Sequence, residues 1–283
     1  MESSPCKNSL LISNVTKKKK TTTVEEPEEQ AMARIRERFD ILTEMTEATQ
    51  EGVVRAMIVS GPPGVGKSYG VEEELSKSSL FGDMTNQRRK YEVVKGAMTA
   101  LGLYAKLYEY SDKGNVLVFD DCDSVLMDDL ALNILKAALD SGKKRMIYWN
   151  AESNKLRNEG IPDKFEFKGS ACFITNIKFE NVRSRRLQDH LEALQSRCHY
   201  LDLTLDTMRD KYLRIKQIAR TGKLFGSDYG FTPEQEQEVL DFMFENRNKL
   251  REMSLRMALK VADLKKISDK WRVLAESTCM KRA

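Results

Sequence analysis

Gly61-Pro62-Pro63-Gly64-Val65-Gly66-Lys67-Ser68 decides how the chain is read. The eight residues satisfy G-x-x-x-x-G-K-[ST] at every position. Residues 53–59 before them are apolar and rich in Val and Ile, which predicts a buried strand, and a helical pattern runs on to residue 77. That strand, turn and helix is the setting in which the motif binds phosphate. Glycines let the backbone wrap closely around the anion with its N–H groups turned inward. The start of the helix adds partial positive charge. Lys67 is then placed to neutralise β- and γ-phosphates and Ser68 to ligate Mg²⁺. Tyr69, next in sequence, is counted with residues 61–68 as the nucleotide-contacting segment.

A second stretch, Val116-Leu117-Val118-Phe119-Asp120-Asp121, is an apolar strand ending in two carboxylates. Asp120 is expected at the strand's C-terminal end, facing a Mg²⁺ held by Ser68, because ligands of open α/β sheets gather at that edge. Asp121 is expected to polarise an attacking water as general base. Asp123 ranks below it: alternation along an extended segment puts it on Asp121's side, away from Asp120.

Outward from these stretches, strands are predicted at 91–94, 116–119, 171–175 and 199–203, with helices at 30–49, 101–110 and 130–139 and a short hairpin pair at 146–149 and 165–167. Strands alternating with helices argue for a parallel sheet covered on both faces. After residue 206 only helices are read, at 207–219, 232–246 and 254–265, with Thr232, Pro233 and Gln235 marking one helix start. Three segments follow: a tail at 1–28 too polar to bury, an α/β unit at 29–206, and a helical unit at 207–283.

The wording Gly-Pro-Pro-Gly-Val-Gly-Lys-Ser resembles that of AAA+ ATPases, and the resemblance extends over residues 36–266. It implies a P-loop α/β core with five parallel strands, a small helical lid behind it, and rings with ATP and Mg²⁺ at subunit interfaces. Asn176, after the strand at 171–175, looks like the sensor-1 residue that helps orient the attacking water. Arg197, in Ala193-Leu194-Gln195-Ser196-Arg197-Cys198, resembles the arginine finger, with Arg183, Arg185 and Arg186 as rivals. Arg256, near the start of a lid helix, looks like sensor 2, reaching the γ-phosphate. Two departures stand out. Asp121 replaces the Glu usual in the family and is one methylene shorter. The loop at 95–99 carries Met98 where protein-threading members have an exposed aromatic.

Composition narrows the classes. The 283 residues are 41% hydrophobic and 32% charged, enough chain to bury a core without staples. No run of about 18 apolar residues exists, so no membrane partner is expected. No secretory signal is read, and five scattered cysteines with only two histidines give no zinc spacing. A soluble, cytoplasmic protein of a reducing compartment is expected. Net charge is only +4, yet residues 247–283 hold 11 Lys/Arg against 4 Asp/Glu.

The expected function is therefore ATP hydrolysis driving conformational work in a homo-oligomeric ring or hetero-oligomer. A DNA-replication loader or motor is slightly favoured, on the basic C-terminal segment, the run Lys17 to Lys20, the missing threading aromatic and a likeness to compact phage AAA+ proteins. A protein-remodelling chaperone, or a nucleotide-gated switch with little hydrolysis, are the alternatives. A P-loop small-molecule kinase is disfavoured by Asn176, Arg197 and the lid pattern.

Overall fold

The structure, a computed structural model, describes residues 26–84, 90–177 and 179–282. The tail expected at 1–28, with its lysine run, lies almost wholly outside them. In chain order the elements are α1 (Glu28–Gln50), β1 (Ala56–Ser60), α2 (Lys67–Met84), β2 (Tyr91–Lys95), α3 (Ala100–Glu109), β3 (Val116–Asp120), α4 (Asp123–Leu126) and α5 (Asp129–Ala138). Then come β4 (Met146–Tyr148), α6 (Asn154–Asn158), β5 (Lys164–Glu166), β6 (Ser170–Thr175), α7 (Arg185–Gln195) and β7 (His199–Asp202). Helices α8 (Met208–Arg220), α9 (Gly226–Tyr229), α10 (Pro233–Glu245), α11 (Leu255–Ile267) and α12 (Trp271–Cys279) follow.

Five strands form one parallel sheet in the order β2-β3-β6-β1-β7. β1, β3 and β6 are buried throughout, as parallel strands covered on both faces must be. Side chains alternate between two apolar layers. Met57, Val59, Val116, Val118, Cys172 and Ile174 face one layer; Ile58, Leu117, Phe119, Ala171 and Phe173 face the other. Phe119 and Phe173 stack across β3 and β6 with centroids 5.0 Å apart. Burying each ring contributes roughly 1.5–3 kcal/mol.

The first layer continues from the sheet through Ile35, Phe39 and Leu42 of α1 into Leu213, Phe242, Ala258 and Trp271 of the C-terminal helices. Polar ties reinforce that junction: Arg34 pairs with Asp210 at 3.0 Å, Lys216 with Glu28 at 2.7 Å, and Lys223 with Glu73. The second layer is closed by α3, α5 and α7 and by the antiparallel pair β4–β5, which runs as the sequence predicts.

Order and chain direction place the site. β6 lies between β1 and β3, so the residue after β6 falls between the loop leaving β1 and the carboxylates ending β3. The predicted strand at 53–59 begins only at Ala56, because Val53 and Val54 close the turn after α1 through bonds to Ala48 O. The capping box at Thr232 and Gln235 forms with both bonds present. α4, α6, α9 and α12 lie outside the helices predicted from sequence. α12 is held by Trp271, whose ring meets Phe242 at 5.2 Å. No helix among the described residues is long and apolar enough to cross a membrane.

Candidate phosphate site at the strand ends

β1 ends at Ser60, and residues 61–66 turn back so that α2 starts on Lys67. Gly64 has φ +71° and Gly66 φ +97°, conformations an L side chain adopts only under strain. Val65 points the other way and is buried in the core, anchoring the loop. The loop and α2 start line a cleft with Asp120, Asp121, Asn176, Leu255 and Arg256; Pro63, Tyr69 and Ser68 are on its wall. Gly61 and Pro62 bound a second hollow beside it, shared with Asn176.

Lys67 is buried, and its ammonium donates to Gly61 O at 2.7 Å, Pro62 O at 2.9 Å and Asn176 Oδ1 at 2.8 Å. Burial pushes its pKa down to about 8, against the pull of Asp121 and Asp120; Arg256 acts in the same direction as burial. Ser68 Oγ donates to Asp120 Oδ1 at 2.8 Å, so the two groups expected to share a metal are adjacent. A hydroxyl and a carboxylate are hard oxygen donors, and Mg²⁺ in phosphate sites takes one or two such groups together with phosphate and water oxygens. The residues present fit that ion.

Asp121 follows the strand with φ +50°, left-handed backbone that is uncommon for a side-chain-bearing residue. Its N–H donates to Ile174 O at 2.9 Å, which fixes the turn. The carboxylate accepts from Asn176 Nδ2 at 2.8 Å. Desolvation raises its pKa, and Asp120 and Asp123 raise it further, while Lys67 and Arg256 oppose them. Asn176 thus joins Lys67 to Asp121 through its two amide atoms. The expectation for Asp123 is corrected in its reason: the left-handed turn at Asp121 breaks the extended alternation. Asp123 opens α4, and its carboxylate accepts from Thr175 Oγ1 at 2.9 Å instead.

The helical part reaches the same loop. Leu255 N, at the start of α11, donates to Gly64 O at 2.8 Å, and Ser254 caps that helix by accepting from Met257 N at 3.1 Å. Arg256 stands next to these atoms and lines the cleft. Arg197 does not join the group. It precedes β7, at the opposite edge of the sheet, where it lines a cleft with Arg55, Ser141 and His199. A strand's length, about 15 Å, separates the two edges. Arg197 Nη1 donates to Ala193 O at 2.5 Å, and its buried Nε has no hydrogen-bond partner among the described residues. Among its rivals, Arg186 pairs with Asp129 at 2.6 Å.

Sequence reasoning missed two cations here. Lys95 ends β2 and lies 3.3 Å from Asp120 Oδ2. Only the pairing of β2 with β3 reveals it. Arg214 of α8 lies over the Phe39 ring at 3.4 Å and donates from Nε to Val65 O at 3.4 Å. Burial pushes its pKa down to about 10. Nothing in its helical spacing distinguishes it from a surface arginine.

With this geometry in view, the fold is an α/β P-loop core on a five-stranded parallel sheet with a helical C-terminal part. The chain superposes on domain III of the Thermotoga maritima replication initiation protein DnaA with a TM-score of 0.51 and 13% identity, over 92% of this chain and 95% of that one. It is 35% identical over 237 residues, 83% of this chain and 71% of the other, to the "Uncharacterized 36.7 kDa protein in nrdC-mobD intergenic region" of Enterobacteria phage T4, and belongs to that protein's family. No family model matches the chain.

Proposed function

We propose that the protein hydrolyses ATP, with Mg²⁺, at interfaces between copies or with a related subunit, and uses the cycle for conformational work. One observation carries this reading: Asn176 links Lys67 and Asp121 within 2.8 Å of each, beside the Ser68–Asp120 pair. Residues 61–69 cradle the phosphates and Lys67 neutralises them. Ser68 and Asp120 hold the metal, which supplies charge for the phosphate oxygens when bound. Asp121 accepts the proton of the attacking water, and Asn176 fixes the carboxylate that does so. The raised pKa of Asp121 makes it a stronger base than an ordinary aspartate.

In this reading residues 29–206 act as the core and 207–283 as a lid. The Leu255–Gly64 bond and Arg256 carry phosphate occupancy to the helices. Arg197, a strand's length from its own Lys67, acts on the nucleotide of the next subunit, where an arginine of this kind contributes roughly a thousandfold or more in rate.

A DNA-linked loader or motor role is favoured over protein remodelling by the basic segment at 247–283. Lys249, Lys270, Lys281 and Arg282 on it are exposed. The reading is tested by phosphate release from ATP by the full chain and by Asp121→Asn. Loss of turnover with retained ATP binding supports it; an unchanged rate contradicts it. Steeply salt-dependent DNA binding supports the DNA role, and salt-insensitive or undetectable binding favours the chaperone.

A further inference from the structure

The parallel register of β2 and β3 sets Lys95 beside Asp120 at the strand ends. The two oxygens of Asp120 are thereby divided. Oδ1 accepts from Ser68, and Oδ2 lies 3.3 Å from the Lys95 ammonium. Asp120 is buried, whereas Lys95 is 59% exposed and reaches in from solvent. The same ammonium lies 2.8 Å from Glu72 Oε1 on α2. A lysine this exposed carries its charge throughout the neutral range.

We infer that Lys95 tunes the divalent-ion affinity of the phosphate site, by sharing the carboxylate that a metal needs. The inference rests on the nucleotide reading above and names a regulator of that site. A divalent cation on Asp120 meets a fixed positive charge on the same carboxylate. At such separations, near the surface, like charges repel appreciably. Glu72 offers the ammonium a second seat, which relieves part of the repulsion without removing the charge. Lys95 is thus a positioning residue for the metal ligand rather than a ligand itself. Its consequence is a site that holds its metal less tightly than Ser68 and Asp120 alone would, and releases it more readily with spent nucleotide.

The test uses the full chain and a fluorescent ADP, N-methylanthraniloyl-ADP, first in EDTA and then with rising MgCl₂. Lys95→Met is expected to lower the half-saturating Mg²⁺ concentration about tenfold. Lys95→Arg keeps the charge and stays within about twofold of the parent. Glu72→Gln, which leaves Lys95 with Asp120 as its acid, raises the half-saturating concentration. Binding in EDTA changes little in Lys95→Met, because the ammonium acts on the metal ligand and not on phosphate. ADP binding with an unchanged or higher Mg²⁺ requirement in Lys95→Met overturns this inference alone. A large loss of EDTA-state affinity in that variant also overturns it, by making Lys95 a phosphate contact. Absence of ADP binding in the parent chain overturns the nucleotide reading, and this inference with it.

Discussion

Asn176 donates its side-chain amide to Asp121 across 2.8 Å while accepting from Lys67 with its other amide atom. One residue on β6's exit therefore holds the proposed base and the lysine of the phosphate loop in a fixed relation. It can do so because β6 runs between β1 and β3. Asn176→Ala should slow turnover far more than it weakens nucleotide binding, by roughly 10²-fold or more, since positioning of the base acts in the transition state. Single-turnover rates and equilibrium nucleotide titrations on the same preparation separate the two effects.

Asp121→Asn should be more heat-stable than the parent at neutral pH. The folded pKa of Asp121 is raised by desolvation and by Asp120 and Asp123. A raised carboxyl contributes stability below its unfolded pKa and loses it as pH rises through the folded one, so at pH 7 its charge is a net cost. Asn removes that cost and tolerates the φ of +50° at this position. Asp121 is solvent-exposed, so the gain is small, about 1–3 °C in Tm, and it disappears in acid. Thermal unfolding across pH 3–8 checks it.

The nucleotide affinity of the parent should fall in alkali earlier than an ordinary lysine implies. In the proposed role Lys67 meets phosphate as the cation, and burial lowers its pKa to about 8. Affinity is then level below about pH 8 and drops by up to about tenfold per unit above it. Turnover acquires an acid limb from Asp121, placed above the usual aspartate range by its raised pKa. Isothermal titration at pH 7, 8 and 9 reads the first effect, and a pH–rate profile the second.

Gly64→Ala should uncouple the helical part from the loop. A Cβ at Gly64 would sit 2.7 Å from Ser254 Cβ, and the position has φ +71°. The added methyl strains the backbone and forces the start of α11 away, so the Leu255–Gly64 bond is lost. A cost of about 1–3 kcal/mol in stability is expected, with weakened nucleotide binding. Denaturant unfolding measures the first part. Retained stability with normal affinity would show that the loop and α11 are not tightly seated.

Mixing Lys67→Ala with Arg197→Ala chains should restore activity that neither has alone. Lys67 and Arg197 sit at opposite edges of the sheet. A mixed interface pairs an intact phosphate loop with an intact arginine. Failure to complement, with both variants folded and associating, would remove Arg197 from the trans-acting role.

Much of the architecture could be read from sequence because the signals were local. The apolar runs at 116–119 and 171–175 have the length and burial of parallel strands, and Thr232-Pro233 with Gln235 announces a helix start whose two bonds both form. The order of the strands is not local information. It decides that Asn176 lies between Lys67 and Asp121, and that Lys95 touches Asp120. Asp123 shows the opposite failure, where a period-two rule was carried past the end of a strand into a left-handed turn. Arg214 left no trace because a half-buried arginine and an exposed one look alike at helical spacing.

The central claim is that the chain turns over ATP at sites shared between subunits. Its most direct test is steady-state phosphate release as a function of protein concentration, with and without DNA. The account predicts a rate per subunit that rises with concentration, rises again with DNA, and is lost in Asp121→Asn. No turnover despite tight ATP binding would contradict it and leave the protein a nucleotide-gated switch.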